Sequence, residues 1–421
     1  MSQSRSGKEE AILAPYRVLD LTDEKGLLCG KILGDLGADV IKIERPGGDP
    51  VRNIGPFYHD IPDPEKSLFW FAFNTNKRGI TLNLEAQDGR EILKRLVKSS
   101  DFVIESFETG YLAGLGLGYS ALREIHSRLI MVSITPFGQA GPYAHFKASD
   151  IVVHAMGYLM NQCGDPDRAP VQVSFPQSFV SAGTDGAVGA MVALYDRGQT
   201  GKGQHVDVSA VDSVVYNALE GIPEWTVAGS DFKRRGSLQK MAQKLFSPVI
   251  WECKDGYMSY FFMAGIHGAK ANQGIVDWMD SKGMAPQFLK EMEWAKLDAE
   301  KMTQEELDSI HEPMGKFFKT RTKAEIQEES IKRLIMMYPI YDAKETMGNP
   351  QLQARDFWVT IRHDELNDTL TYPGAFAQFS ETPIKNWRRA PLIGEHNEEI
   401  YGRELGFSMA EMVTLKEAGA I

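Results

Sequence analysis

Over roughly its first 140 residues the chain alternates short β-rich runs with helical stretches, and that rhythm narrows the possible folds more than any other feature. The spacing predicts strands at Tyr16–Leu21, Ala38–Glu44, Ile80–Leu84, Asp101–Phe107 and Leu129–Thr135. Between them it predicts helices near Glu24–Leu36, Ala86–Lys98 and Ser120–His126. Strand and helix in turn make a doubly wound α/β domain with a mostly parallel sheet, whose ligands bind at the carboxyl ends of the strands. From about Glu224 to Met337 the texture changes, with Trp225, the run Lys233-Arg234-Arg235 and a Met-, Lys- and Glu-rich helical stretch from Ala285 to Ile335. β-like material at Trp358–Arg362 and Thr369–Tyr372 and a helix near Met409–Ala418 follow. The expected organisation is a large α/β domain of residues 1–224 plus 342–421 and a smaller α+β domain of residues 225–341.

Composition removes several function classes. At 421 residues, 43% hydrophobic and 24% charged, the chain suits two domains that each bury a core. No run approaches the length of a membrane span, and the start MSQSRSGKEEA lacks the apolar core of a signal peptide, so a cytoplasmic protein is expected. A net charge of −11 argues against nucleic acid or an anionic membrane as partner, since both require clustered positive charge. Cys29, Cys163 and Cys253 are odd in number and widely spaced, which fits neither a disulfide framework nor a zinc site. No HExxH-type pairing offers another metal site, and His154, His205 and His396 read as structural, with His205 at a strand edge. GDLG and GLGLG lack the spacing and the strand-to-helix context of a phosphate loop.

Five blocks in order carry a resemblance. They are GDLGADVIKIERPGGDP (Gly34 to Pro50), FNTNKRGITLNL (Phe73 to Leu84), GLGLGYSALREIHSRLIMVSITPFGQAGPY (Gly114 to Tyr143), the dipeptide Ser149-Asp150, and RRAPLIGEHNEEI (Arg388 to Ile400). With the segment APVQVSFPQSFVSAGTDGAVGAMVALYDRGQTGKGQHVD (Ala169 to Asp207), the chain resembles the class III, formyl-CoA transferase-like CoA-transferases. The resemblance implies that family's fold, an interlocked dimer, and transfer of coenzyme A from a donor thioester to an acceptor carboxylate through an aspartate nucleophile. Coenzyme A thioesters then enter as substrates, and no permanently bound cofactor is expected.

In the family that aspartate opens a small-residue helix, four residues before one glycine and ten before a second. Here the glycines are Gly183 and Gly189, the following turn is Thr200 to Gln204, and counting back lands on Phe179. A phenyl ring has no lone pair with which to attack a thioester. Asp185, the fallback nucleophile, lies six residues on, which is about 240° around a helix and on another face. Asp150 reads as a residue that caps or orients a turn. The small residues Ala182, Gly183, Gly186, Ala187, Gly189 and Ala190 read as a close-packing helix face. Other family positions have drifted. The Ala-Gly-Pro turn reads Lys25-Gly26-Leu27, a CoA-contacting Arg is Gly114, and an Asn is Ser106. Arg45, Asn76, Lys77 and Arg78 match the family and either contact the cofactor or hold the fold.

Three readings stay open: a chain without catalytic residues that pairs with a homologous subunit carrying the aspartate and accepts an aromatic acid, a self-sufficient transferase with a displaced nucleophile, and an acyl-CoA racemase. The last needs an acid and a base where Ser149 and Phe179 stand. Aromatic and Met residues of the middle domain (Trp225, Phe261, Phe262, Met263, Trp278, Trp294, Met336, Met337) suit either an aromatic acyl group or a core.

Overall fold

The structure is a computed structural model that describes residues 11–421 apart from 232, 243 and 386. The start of the N-terminal stretch, residues 1–10, lies outside the described residues. The chain divides into two units, one of Met1–Asn161, Gln172–Phe232 and Ala354–Ile421, the other of Gln162–Val171 and Lys233–Gln353.

The first unit is built on a six-stranded parallel sheet in the order β3-β2-β1-β4-β5-β6. Its strands are β1 (Arg17–Leu21), β2 (Asp39–Glu44), β3 (Lys77–Thr81), β4 (Phe102–Glu105), β5 (Ile130–Thr135) and β6 (His205–Ser209). Order reverses between β1 and β4, the switch point at which doubly wound sheets form a crevice. The strands read as continuous apolar runs because helices cover both faces. Val18, Val40, Phe102, Ile104, Val132 and Ile134 point to one face, under α1 (Leu27–Asp35) and α7 (Ser178–Thr200). Leu19, Ile41, Val103 and Met131 point to the other, under α3 (Gln87–Val97) and α5 (Tyr119–Ile125). The remaining helices used below are α2 (Leu68–Asn74), α4 (Tyr111–Gly114), α6 (Asp150–Met156), α8 (Ala210–Asn217) and α9 (Gly221–Ala228).

Strand β3 begins three residues earlier than its apolar pattern predicts. Lys77 and Arg78 read as loop residues, yet both are buried, because Lys77 pairs with Asp20 at 2.7 Å and Arg78 with Asp39 at 2.6 Å. His205 opens β6, which lies at the sheet edge, and its Nε2 sits 2.9 Å from the Ser133 hydroxyl. His396 accepts a hydrogen bond from the Gly79 N–H, and His154 is fully buried on α6.

The second unit has its own core. An antiparallel sheet of Ile250–Cys253, Gly256–Tyr260 and Met337–Pro339 packs with the helices Ala269–Ser281, Gln304–Phe318 and Lys323–Arg333. Phe262, Trp278, Trp294 and Met337 are buried in that core, so these four are packing residues. Phe261 and Met336, and Trp225 of the first unit, are exposed. Cys29 and Cys253 are buried free thiols. Among the described residues no helix is long and apolar enough to cross a membrane, and no group of three or more His, Cys, Asp or Glu is placed to hold a metal.

Helix α7 lies tight against its neighbours because its inner stripe lacks side chains. A Cβ at Gly183 would stand 3.0 Å from Leu28 Cβ, and one at Gly186 would stand 2.8 Å from Ile134 Cδ1. Gly198, on the same helix, faces open space. Replacing Gly186 with Leu is therefore expected to overpack the contact and destabilise by about 1–3 kcal/mol. Gly198→Ala should stabilise by roughly 0.5–1 kcal/mol through helix propensity. Urea unfolding of the two variants reads both, and equal effects would contradict this packing.

Glu105 ends β4 almost fully buried. Burial pushes its carboxyl up to about 7, against hydrogen bonds from the Ser133 hydroxyl and the Phe107 N–H. The folded state thus holds the proton more tightly than the unfolded chain, where the ordinary value is near 4.5. Stability contributed by the protonated form is lost as pH rises from the unfolded value through the folded one, a swing of about 3 kcal/mol. Glu105→Gln should flatten that part of the stability curve between about pH 4.5 and 7, measured by urea unfolding. An unchanged slope would show that Glu105 ionises normally.

Candidate active site

Helix α7 begins at Ser178, one residue before Phe179, the position that the resemblance matches to the family's nucleophile. Gln177 precedes it and makes no side-chain cap, leaving the first N–H groups of a 23-residue helix in need of acceptors. The carboxylate of Asp150 supplies them from α6: its Oδ1 accepts from the Ser178 N–H at 2.8 Å and the Phe179 N–H at 3.4 Å. Gln172 donates to the other oxygen at 3.3 Å, and the Ser178 hydroxyl donates to the Asp150 carbonyl at 3.2 Å. An anion at the positive end of a helix dipole that also caps it contributes on the order of 1 kcal/mol. Asp150 is thus engaged in holding the helix start, in line with its sequence reading.

Phe179 is 6% exposed and belongs to the core beneath α1 and α7. Its ring also lines a cavity of about 210 Å³. The same wall contains Phe69 and Phe73 of α2, Phe175, Leu28 and Ile54. Two carboxyl groups border it, Asp150 and Glu24. Loss of water at this border, reinforced by neighbouring Asp23, raises Glu24 above the usual carboxylate range. Asp185 faces solvent on α7 and does not line the cavity. The site as built can hold an apolar group, and position 179 offers nothing that could form an acyl bond.

The positions matched to cofactor contacts fall into two sets. Asn76, Lys77 and Arg78 are tied into the fold. Asn76 donates to Asp35 at 2.8 Å and accepts from the Arg388 N–H at 2.7 Å. Lys77 donates to Asp20, Leu27 O and Asn74 at 2.7, 3.0 and 3.0 Å. Arg78 bridges Asp39, Glu399 and Glu404, each at 2.6 Å. Arg45, just beyond β2, is exposed; among the described residues it makes no ion pair, and its Nε lies 3.4 Å from Gly48 O.

The second set has drifted. Lys25 pairs with Asp23, and Gly26 is packed so closely that a Cβ would stand 2.6 Å from Thr22 Cγ2. Ser106 accepts from the Asp23 N–H at 2.8 Å and donates to its carboxylate at 2.7 Å. Gly114 closes α4 with open space where a side chain would extend. Sequence reasoning missed the pocket wall: Phe69 and Phe73 on α2 and Phe175 before α7 are far apart in the chain, and none of the three is fully buried.

Comparison with known proteins agrees with this geometry. The model of the CoA-transferase family III matches residues 13–397. The chain is 33% identical, over 96% of its length and 97% of the relative's, to the succinyl-CoA:(R)-benzylsuccinate CoA-transferase subunit BbsE of Thauera aromatica. It is 30% identical, over 97% and 99% of the two chains, to the formyl-CoA:oxalate CoA-transferase of Streptomyces coelicolor. Its fold superposes on the crystal structure of a CAIB/BAIF family protein from Brucella suis with a TM-score of 0.82 and 27% identity, covering 94% of this chain and 99% of the other. A parallel sheet of this order and a family match along nearly the whole sequence place the chain in CoA-transferase family III.

Proposed function

We propose that this chain is the non-nucleophilic subunit of a heteromeric CoA-transferase that moves coenzyme A from a donor such as succinyl-CoA to an aromatic acid such as benzylsuccinate. The observation that carries the proposal is Phe179, buried at the head of α7 with its N–H held by Asp150. The relative at 33% identity is itself described as a subunit of a benzylsuccinate-dependent transferase, which supports the same reading.

In this scheme the reacting carboxylate belongs to a homologous partner. It attacks the donor thioester, forming a mixed anhydride and releasing the CoA thiolate. The thiolate then attacks the enzyme acyl carbonyl, giving an enzyme–CoA thioester and the free donor acid, and the acceptor carboxylate runs the sequence in reverse. Each intermediate lies close in energy to a substrate or product, so one difficult exchange becomes several easier ones. The present chain supplies surface and shape. α7 exposes Val188, Val192 and Tyr195 at helical spacing, with Tyr195 73% exposed, and α9 exposes Ile222 and Trp225. Exposed apolar side chains in such number suit a protein partner. Arg45 remains available to meet an anion, whereas Asn76, Lys77 and Arg78 hold the fold. The buried free thiols Cys29 and Cys253 fit a reducing cytoplasm.

The displaced-nucleophile reading loses support because Asp185 faces solvent away from the cavity. The racemase reading finds Ser149 and Phe179 in place of an acid and a base.

The purified chain alone is expected to show no CoA transfer from succinyl-CoA, and transfer should appear when a homologous chain bearing the aspartate is co-purified with it. Activity of the isolated chain equal to that of the complex would overturn the proposal. Phe179→Asp alone should leave the isolated chain inactive, because Gly114 and the Lys25-Gly26-Leu27 turn no longer present the family's CoA contacts. Restoration of transfer by that one substitution, read in the same assay, would contradict this account of the drifted positions.

A further inference from the structure

The cavity over Phe179 has a composition that points to its occupant. Four phenyl rings, Phe69, Phe73, Phe175 and Phe179, form its wall. Phe69 and Phe73 have centroids 4.7 Å apart, and Phe73 and Phe175 lie nearly parallel, at 13° and 6.5 Å. Among the described residues no Lys, Arg or His lines it, and its two ionisable groups, Glu24 and Asp150, are both acids. Asp150 already accepts two N–H bonds from the start of α7 and one from Gln172.

Size and charge act together here. An enclosed apolar cavity of about 150 Å³ takes up benzene, and this pocket, about 210 Å³ and partly open to solvent at Phe175, has room for a single ring. A ring entering it gains edge and face contacts with four others. A carboxylate entering it would lose part of its water beside two acids and find no cation. We infer that this cavity is a binding site for an uncharged, benzene-sized ring, the hydrocarbon end of a small molecule, and that it rejects a carboxylate end. The inference concerns this chain by itself and holds whether or not a partner supplies the nucleophile.

Benzyl alcohol and benzoate, equal in ring and different in charge, are the probes. Titrated into the purified full chain and followed by ligand-observed NMR or calorimetry, benzyl alcohol should bind saturably at one site and benzoate at least about tenfold more weakly. Phe179→Asp should weaken benzyl alcohol by about tenfold or more, while Asp185→Asn, on the solvent side of the same helix, should leave it unchanged. Should Phe179→Asp fail to fold, as judged by circular dichroism, Phe175→Ala in the segment before α7 replaces it, with about a threefold or greater loss expected. Benzoate binding as tightly as benzyl alcohol, the absence of saturable binding, or displacement of benzyl alcohol by tetramethylammonium would each overturn the inference, the last by revealing a cation site. Because these measurements read binding to the isolated chain, their failure is distinct from a failure of the partner proposal, which is read in transfer activity.

Discussion

The ammonium of Lys77 fixes the frame on which the site depends. Fully buried, it places its three N–H donors on Asp20, the Leu27 carbonyl and Asn74, which joins β1, the first turn of α1 and the end of α2 to the start of β3. Burial alone would raise Asp20, but Lys77 and Lys42 outweigh it and hold the carboxylate ionised. Lys42, equally buried, bonds to the Thr22 carbonyl, and its Nζ lies 3.7 Å from Asp49. Removing one partner of such a cluster leaves an uncompensated charge inside the protein, at a cost of about 3–5 kcal/mol. Gly30 shows how closely α1 is drawn in, since a Cβ there would stand 2.2 Å from Asp20 Oδ2. α1 in turn is the surface against which Gly183 packs, one turn after Phe179. The position of the α7 start is therefore inherited from a salt-bridge cluster beneath the neighbouring helix.

That frame sets where residue 179 sits. The sheet order, the small-residue face of α7 and the Asp150 cap place residue 179 at the positive end of a long helix, where an anion is favoured. The side chain there is an uncharged ring instead, and its surroundings match it: phenyl groups and aliphatic side chains make up most of the wall. Elsewhere in the same unit residue 114 is glycine and Lys25 pairs internally with Asp23.

Much of this was legible in the chain itself. Strong periodicity put β1, β2, β4 and β5 and the helices α1, α3 and α5 within about three residues of their ends, because apolar pattern and burial coincide there. The family's spacing, counted back from Gly183 and Gly189, leads to Phe179, and α7 begins one residue before it. β3 was misplaced because Lys77 and Arg78 look like loop residues until their buried partners at Asp20 and Asp39 are known. Those partners are 57 and 39 residues away, beyond any local pattern. The role of Asp150 was half legible: a capping residue could be read, but the helix it caps begins 28 residues later. The ring-lined cavity gave no sequence signal, as its phenylalanines meet only through the fold. The division of the matched basic residues into three fold-holding side chains and an exposed Arg45 likewise required the carboxylates that surround them.

The central claim is tested most directly by chemical trapping. The isolated chain and its complex with an aspartate-bearing homologue are each incubated with succinyl-CoA, treated with borohydride or hydroxylamine, and digested for peptide mass mapping. A modified carboxylate on the partner alone, with every peptide of this chain unaltered, is the predicted result. A trapped adduct on any Asp or Glu of this chain, formed in the absence of a partner, would contradict it.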